Sequence, residues 1–494
     1  MACAGFFSII VVRRNTLMDF DLNKRYCYYF NEISKIPHGS RNEKALSDYI
    51  CAFAEKHGLK FRQDHVWNVM IDKPASKGFE NSEPVILQAH MDMVCEKNND
   101  VEHDFEKDPL DLYVEDGWLK ARGTTLGGDD GHGVAYMLAI LEDPSIAHPP
   151  LECIFTVQEE IGLLGMAELR AEDLHGHRYI SLDGGGLNVT ETSCAGAVSP
   201  KIIQKIEWEP CDQPEYELAV TGLQGGHSGS LIHLERGNAN IIAGRILKEA
   251  ETAGSDITLT YMQGGLKENA LPRESIFRFV SDTPADTLNE IIGNSIQDIK
   301  DELQFSDAGV AISLTAKGNA ARRFPKTISD RLINYIFLMP HGFLHRSMAV
   351  ENLTTASLNL GVISTRDDTV VFEIMARAAE NSQRFDICRK LQTLADVLEL
   401  ECDMPEGYPG WAYTPESELR QIMKNVLERH GLTYVEEATH GGLECGIVKG
   451  LDPKMDIITF GPVNLDIHCP DERLNLQSFD DGWEILLDIL NDCR

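Results

Sequence analysis

No segment of this chain is long and apolar enough to span a bilayer, no two cysteines have the CxxC spacing, and there is no repeat or low-complexity tract. The first absence argues against a membrane-spanning protein. The second, with twelve cysteines scattered from Cys3 to Cys493, argues against a disulfide framework and for a reducing, cytoplasmic setting. Positive charge is also scarce: 45 Lys+Arg stand against 78 Asp+Glu, a formal net charge of −33. Such a chain repels phosphate, so neither nucleic acid nor an anionic membrane is the expected partner. Most of those carboxylates read as solvated surface. The alternative gathers some of them to hold cations.

What is present is ordinary for a globular protein. At 494 residues, 43% hydrophobic and 25% charged, the sequence has room for about two to four domains, each with a core. The apolar run over 6–12 is followed by Arg13-Arg14, the reverse of a secretory signal, and residues 1–17 read as an N-terminal appendage. Amphipathic helices are predicted over 22–36 and 43–57. Strands follow over 84–90, 151–158, 179–183 and 457–461, with helical segments over 133–141 and 164–169 between them. This alternation predicts an α/β domain with a mostly parallel sheet, whose ligands gather beyond the carboxyl ends of its strands.

The middle of the chain differs. Strands over 216–221, 257–262, 276–280, 310–315 and 369–376 alternate with helices over 238–252 and 286–303. That pattern predicts an α+β sandwich inserted into the first domain as a lid, with Pro405-Glu-Gly-Tyr-Pro-Gly410 as the return linker. The expected division is 18–208 and 405–494 for the first domain and 209–404 for the lid.

Taken singly, the polar motifs are weak. His90-Met-Asp92 suits a buried histidine beside a turn, Asp129 a helix cap, Glu159-Glu160 a helix start, Asp183 a glycine-rich turn and His468 a loop. Together they say more. His90, Asp129, Glu160, Asp183 and His468 each follow a strand-like run or open a helix, as one cluster at a sheet edge requires. Two neutral imidazoles with carboxylates suit Zn²⁺, and the same donors accept Mn²⁺ or Co²⁺. A carboxylate shared between two such ions lets them clamp a water and a carbonyl. Asp92 is then free to orient His90, and Glu159 to take a proton from the water.

These motifs carry a family resemblance, which covers everything from Met18 to the C-terminus. The text is His90-Met-Asp-Met-Val-Cys-Glu-Lys97, Arg122-Gly-Thr-Thr-Leu-Gly-Gly-Asp129-Asp-Gly131, Glu159-Glu160-Ile-Gly-Leu163 and Ser181-Leu-Asp183. It continues with Gly222-Leu-Gln-Gly-Gly-His227-Ser-Gly229, Gly264-Gly-Leu-Lys-Glu-Asn269-Ala-Leu-Pro-Arg273, Gly441-Gly-Leu-Glu-Cys445 and His468-Cys-Pro-Asp-Glu-Arg473. This set resembles the M20 metallopeptidases, and among them the aminoacyl-histidine dipeptidase branch.

The resemblance implies a catalytic domain with an inserted lid, a homodimer, and two divalent ions bridged by Asp129. His90 and Asp183 would hold one ion, and Glu160 and His468 the other. Glu159 would be the general base and Asp92 the residue orienting His90. His227 would polarise the scissile carbonyl, and Asn269, Arg377 and Gly442 would hold the substrate, Arg377 by its free carboxylate. The sequence departs from the family pattern at Gly128, Asp130 and Ile161, and at Ala378-Ala379 after Arg377. The expected activity is hydrolysis of unblocked dipeptides, including Xaa-His and carnosine-like substrates. An amidase or N-deacylase on the same scaffold and a non-catalytic binding protein are the alternatives.

Overall fold

The computed structural model describes residues 20–494, so the appendage expected over 1–17 lies outside the described residues. Two compact units emerge. One runs through Thr190 and adds Ser417–Val435 and Asp456–Arg494; the other comprises Glu191–Glu416 and Glu436–Met455.

The first unit is built on a six-stranded sheet in the order Lys60–Gln63, Val69–Lys73, Leu151–Thr156, Val85–His90, Arg178–Ser181, Asp456–Thr459. The last four strands run parallel, and the first two join antiparallel. Val85–His90 is buried at every residue. Its mostly apolar sequence, broken only by the buried Gln88 and ending at His90, lacks the alternation of a half-exposed strand, as a central parallel strand covered on both faces requires. Helix Gly128–Glu142 is buried along nearly its whole length. Around it, Tyr136 stacks on Phe479 with ring centroids 5.0 Å apart, and Tyr26 meets both rings edge-on. A separate four-stranded sheet, Asn464–Leu465, Arg473–Asn475, Trp118–Ala121 and Leu112–Glu115, brings the end of the chain beside the approach to that helix.

The second unit is a large antiparallel sheet running from Ala311–Arg323 through Glu209–Thr221, Ser275–Val280, Thr258–Gly264, Thr354–Arg366, Thr369–Ala378 and Lys201–Lys205 to Glu401–Asp403. The predicted strands and both predicted helices are present, the helices as Ala239–Thr252 and Ala285–Glu302. Asn238 caps the first of these, its side chain accepting from Asn240 N at 3.0 Å and Ile241 N at 3.2 Å. Two further helices, Lys326–Leu338 and Asn381–Val397, join the same core, in which Ile246, Phe277, Phe279, Ile333 and Phe372 are fully enclosed.

This unit also differs in extent from the expected lid. Residues 436–455 belong to it, because Ala195 N donates to Gly441 O and Thr439 N to Ser193 O. Helix Glu444–Leu451 lies against Pro409: a Cβ at Gly446 or Gly450 would come within 2.6 or 2.5 Å of it. The segment expected as a return linker is likewise bound, with Tyr408 paired to Ala197 and Trp411 to Cys194. No helix among the described residues is long and apolar enough to cross a membrane, and their eleven cysteines are all free.

Candidate active site

Three parallel strands of the first unit present polar residues at or just beyond their carboxyl ends. His90 ends its strand, Glu159 and Glu160 follow Leu151–Thr156, and Asp183 follows Arg178–Ser181. Asp129 enters from the first turn of helix Gly128–Glu142 and is joined to Asp130 by a cis peptide. His468 enters from the segment after Asn464–Leu465. His90 Nε2 lies 2.9 Å from Asp129 Oδ1, while His468 Nε2 lies 3.4 Å from Asp129 Oδ2 and 3.0 Å from Glu160 Oε1.

Three sets of donor atoms could each hold a metal ion, with all atoms of a set within 4.8 Å of one another: His90, Asp129 and Asp183; His90, Glu159 and Glu160; Asp129, Glu160 and His468. The five expected ligands are thus brought together, with Asp129 common to the first and third sets. Glu159 stands in the same cluster.

The donor chemistry fits divalent cations. Among the described residues, neither Asp129, Glu160 nor Asp183 is ion-paired with a lysine or arginine. Bonds to Asp129 and Glu160 hold the His468 imidazole up at about 10. Burial works against a charged His90, yet Asp129 and Asp92 still raise it well above its usual range. Asp183 is pushed up to about 7 by burial and by repulsion from Asp129. Crowded carboxylates that draw protons onto themselves and their histidine neighbours mark a place short of positive charge.

The loop bearing Glu159 and Glu160 is tied down by Asp92 and by groups that sequence reading did not single out, Ser40, Glu43 and Asn68. His90 Nδ1 meets the backbone oxygen of Asp92 at 3.0 Å, whereas the Asp92 carboxylate stands 3.7 Å off. That carboxylate instead accepts from Glu159 N at 2.9 Å, Glu160 N at 3.3 Å and Ser40 Oγ at 2.7 Å. Glu43, fully buried, takes Gln158 N at 3.1 Å. Asn68 closes the loop, accepting from Val157 N at 3.1 Å and donating to Gly165 O at 2.8 Å. A polar residue next to a serine or glutamate motif gives no hint in sequence that its partner is a backbone amide more than sixty residues away.

In the second unit, the expected substrate groups also lie together. Gly226–His227 pairs with Ala270–Leu271, and Ser228 N donates to Asn269 O at 2.9 Å. The ring Nδ1 of His227 accepts from Gly229 N at 3.3 Å and Ser230 N at 3.2 Å, which leaves the proton on Nε2 as a donor. Burial and the charge of Arg377 both lower the His227 pKa, so the ring is neutral. Arg377 is 5% exposed, its Nε has no hydrogen-bond partner, and Nη1 is 3.5 Å from the Tyr408 hydroxyl. Gly442 lies against that same tyrosine, where a Cβ would stand 2.9 Å from its ring carbons. Beside Arg377 on the next strand, Ser357 bonds His440 Nε2 at 2.7 Å. His440 had no assigned role in the sequence, although it directly precedes the Gly441-Gly442 motif.

Comparison with known proteins identifies the family. The profile of Peptidase family M20/M25/M40 matches residues 86–492. The Escherichia coli K12 protein named cytosol non-specific dipeptidase is 33% identical over 467 residues, 94% of this chain and 96% of that one. The crystal structure of aminoacylhistidine dipeptidase from Vibrio alginolyticus superposes with a TM-score of 0.87 at 34% identity, over 95% of this chain and 96% of that chain. Aminopeptidase PepT from Bacillus cereus, at 15% identity and a TM-score of 0.55 over 96% of this chain and 100% of its own, shares the fold. With the profile spanning most of its length and relatives matched nearly end to end, the chain belongs to the M20 family of peptidases.

Proposed function

We propose that the protein is a metal-dependent dipeptidase that hydrolyses unblocked dipeptides, Xaa-His and carnosine-like substrates among them. The observation that carries this reading is the pair of donor sets that share Asp129. His90 and Asp183 would serve one ion, and Glu160 and His468 the other. Zn²⁺ suits these donors, and Mn²⁺ and Co²⁺ fit them too. Two divalent cations held there polarise a carbonyl and make a water more acidic.

The chain's own residues do the rest. Glu159, beside Glu160 on the loop fixed by Asp92, takes the proton of the attacking water and returns it to the leaving amine. His227, a neutral ring with its proton on Nε2, donates to the oxygen on which negative charge develops. Arg377, a buried guanidinium with no carboxylate in ion-pair range among the described residues, grips the substrate's carboxylate, with Asn269 and Gly442 beside it. The cytosolic setting rests on the name of the Escherichia coli relative, and the homodimer on the family resemblance of the sequence alone; sedimentation of the purified chain tests the latter.

A substrate panel after chelation and refilling tests the reaction. Carnosine, Ala-His and Gly-Gly should be cleaved once Zn²⁺, Mn²⁺ or Co²⁺ is restored, and N-acetylated amino acids should not. Hydrolysis of the acetylated set alone would sink the reading. Glu159→Gln should keep its metal content and lose about 10²–10⁴-fold in kcat.

A further inference from the structure

Glu472 is a buried carboxylate, 3% exposed, whose hydrogen-bond donors are all neutral amides. Its Oε2 accepts from Leu126 N at 2.8 Å and Gly127 N at 3.0 Å. Its Oε1 accepts from Gly128 N at 2.8 Å, Asp129 N at 3.3 Å and Asn464 Nδ2 at 3.0 Å. Four consecutive backbone amides thus converge on one side chain. They are the amides that lead into Asp129.

The topology makes this convergence specific. Strand Arg473–Asn475 pairs with Trp118–Ala121, Arg473 opposite Lys120, so the chain leaving Ala121 runs back past Glu472. His468 lies four residues before Glu472, and Glu472 N closes the turn on Cys469 O at 3.0 Å. One short segment therefore carries both His468 and the clamp on the backbone of Asp129. Asp129 Oδ2 is 3.4 Å from His468 Nε2 and its Oδ1 is 2.9 Å from His90 Nε2. A carboxylate facing two histidines in this way tolerates displacements of no more than about 0.5 Å.

We propose that Glu472 is a positioning residue for the candidate metal centre: by holding the amides of 126–129 it fixes Asp129 against His468, two residues that would hold a metal ion. The proposal rests on the reading of Asp129 and His468 as ligands. It goes beyond that reading by giving the alignment of two ligands to a residue outside every donor set.

The test uses the full-length chain. In Glu472→Gln, one oxygen gives way to an NH₂ group facing amide donors, so backbone bonds are lost with little change of shape. Hydrogen exchange of the metal-free protein should speed up at 126–129 and stay unchanged in Val85–His90. Titration with Mn²⁺ should show one ion bound about 10–100-fold more weakly. The kcat for Ala-His should fall by a similar factor, recovering partly in excess Mn²⁺, while KM stays within about twofold. A role confined to folding would lower Tm and leave Mn²⁺ affinity and kcat per folded chain at wild-type values. That result overturns the proposal.

Glu472→Asp keeps the charge and withdraws the carboxylate by one methylene, and covers the case in which the glutamine variant does not fold. It should show the same weakening, and wild-type affinity in it overturns the proposal equally. His468→Ala controls the underlying reading and should lose one ion. Two ions retained at full affinity in that variant would overturn the ligand assignment itself.

Discussion

A methyl group added at Gly128 would stand 2.7 Å from Asn464 Nδ2 and 2.9 Å from its Oδ1, so the amide would have to leave its bond to Glu472. Gly128, one of the positions where the chain departs from the family pattern, is thus matched to Asn464. Gly128→Ala should cost about 1–3 kcal/mol in denaturant unfolding, the usual range for overpacking. The double variant with Asn464→Ala should lose less than the two single losses added together, because the crowding partner is gone.

His440 offers a second test at this scale. Burial, then the charge of Arg377, press its pKa down to about 3, against about 6.5 when unfolded. The ring is neutral when folded and takes up a proton on unfolding, so its contribution is full above about pH 6.5 and declines as the pH falls toward 3. Between those limits stability should drop by up to about 1.4 kcal/mol per pH unit from this one group, and the slope should flatten in His440→Gln. The proposed ligands were legible because each follows a strand-like run or opens a helix. Glu472 and Glu43 were not, since nothing in a carboxylate's sequence context separates one that faces a cation from one that faces backbone amides.

The loop over 157–165 is the element on which the proposed chemistry turns. Its two ends meet through Gly165 N and Val157 O, and Asn68 bonds both sides of that closure as well as Asp64. Asn68→Ala would leave the buried Val157 N–H without a partner and strip Gly165 O of one of its two donors, the other being Glu168 N at 3.1 Å. It should cost roughly 1–3 kcal/mol and lower kcat more than it raises KM, as unfolding curves and steady-state kinetics would report. Gly165 has no room for a side chain, because a Cβ would come within 2.7 Å of Asn68 Oδ1. Among the elements, strands with apolar runs and the helices Ala239–Thr252 and Ala285–Glu302 could be read from sequence. Helix Asn381–Val397 could not, because it buries only Arg384, Ile387, Leu391 and Ala395, a stripe too thin to stand out. The placement of 436–455 rests on backbone pairing with residues near 195, which no local pattern announces.

At the scale of the whole molecule, a net charge of −33 repels anions in general, and a few of its carboxylates lie in donor sets that could hold cations. Each unit has its own hydrophobic core. Removing the ions by chelation should therefore raise hydrogen exchange in the loops at 126–129 and 157–165 and leave the core of the second unit protected. Refilling to about 100 times Kd should return about 2.7 kcal/mol of protection to the first unit. Equal loss of protection in both cores would contradict this.

The order of the five proposed ligands along the chain has an entropic side. Each ion acts as a cross-link between distant points of the polymer. The spans from His90 to Asp129, Glu160 and Asp183 are short, but the last, to His468, contains the whole of the second unit. Because closure entropy grows only with the logarithm of length, a loop of about 285 residues costs roughly 2 kcal/mol more to close than one of about 23. A span occupied by a unit with its own core behaves as a shorter loop still. A whole folded unit between the fourth ligand and the fifth is therefore a small burden on the centre, which makes that interval the place where this architecture can accept or lose sequence most cheaply.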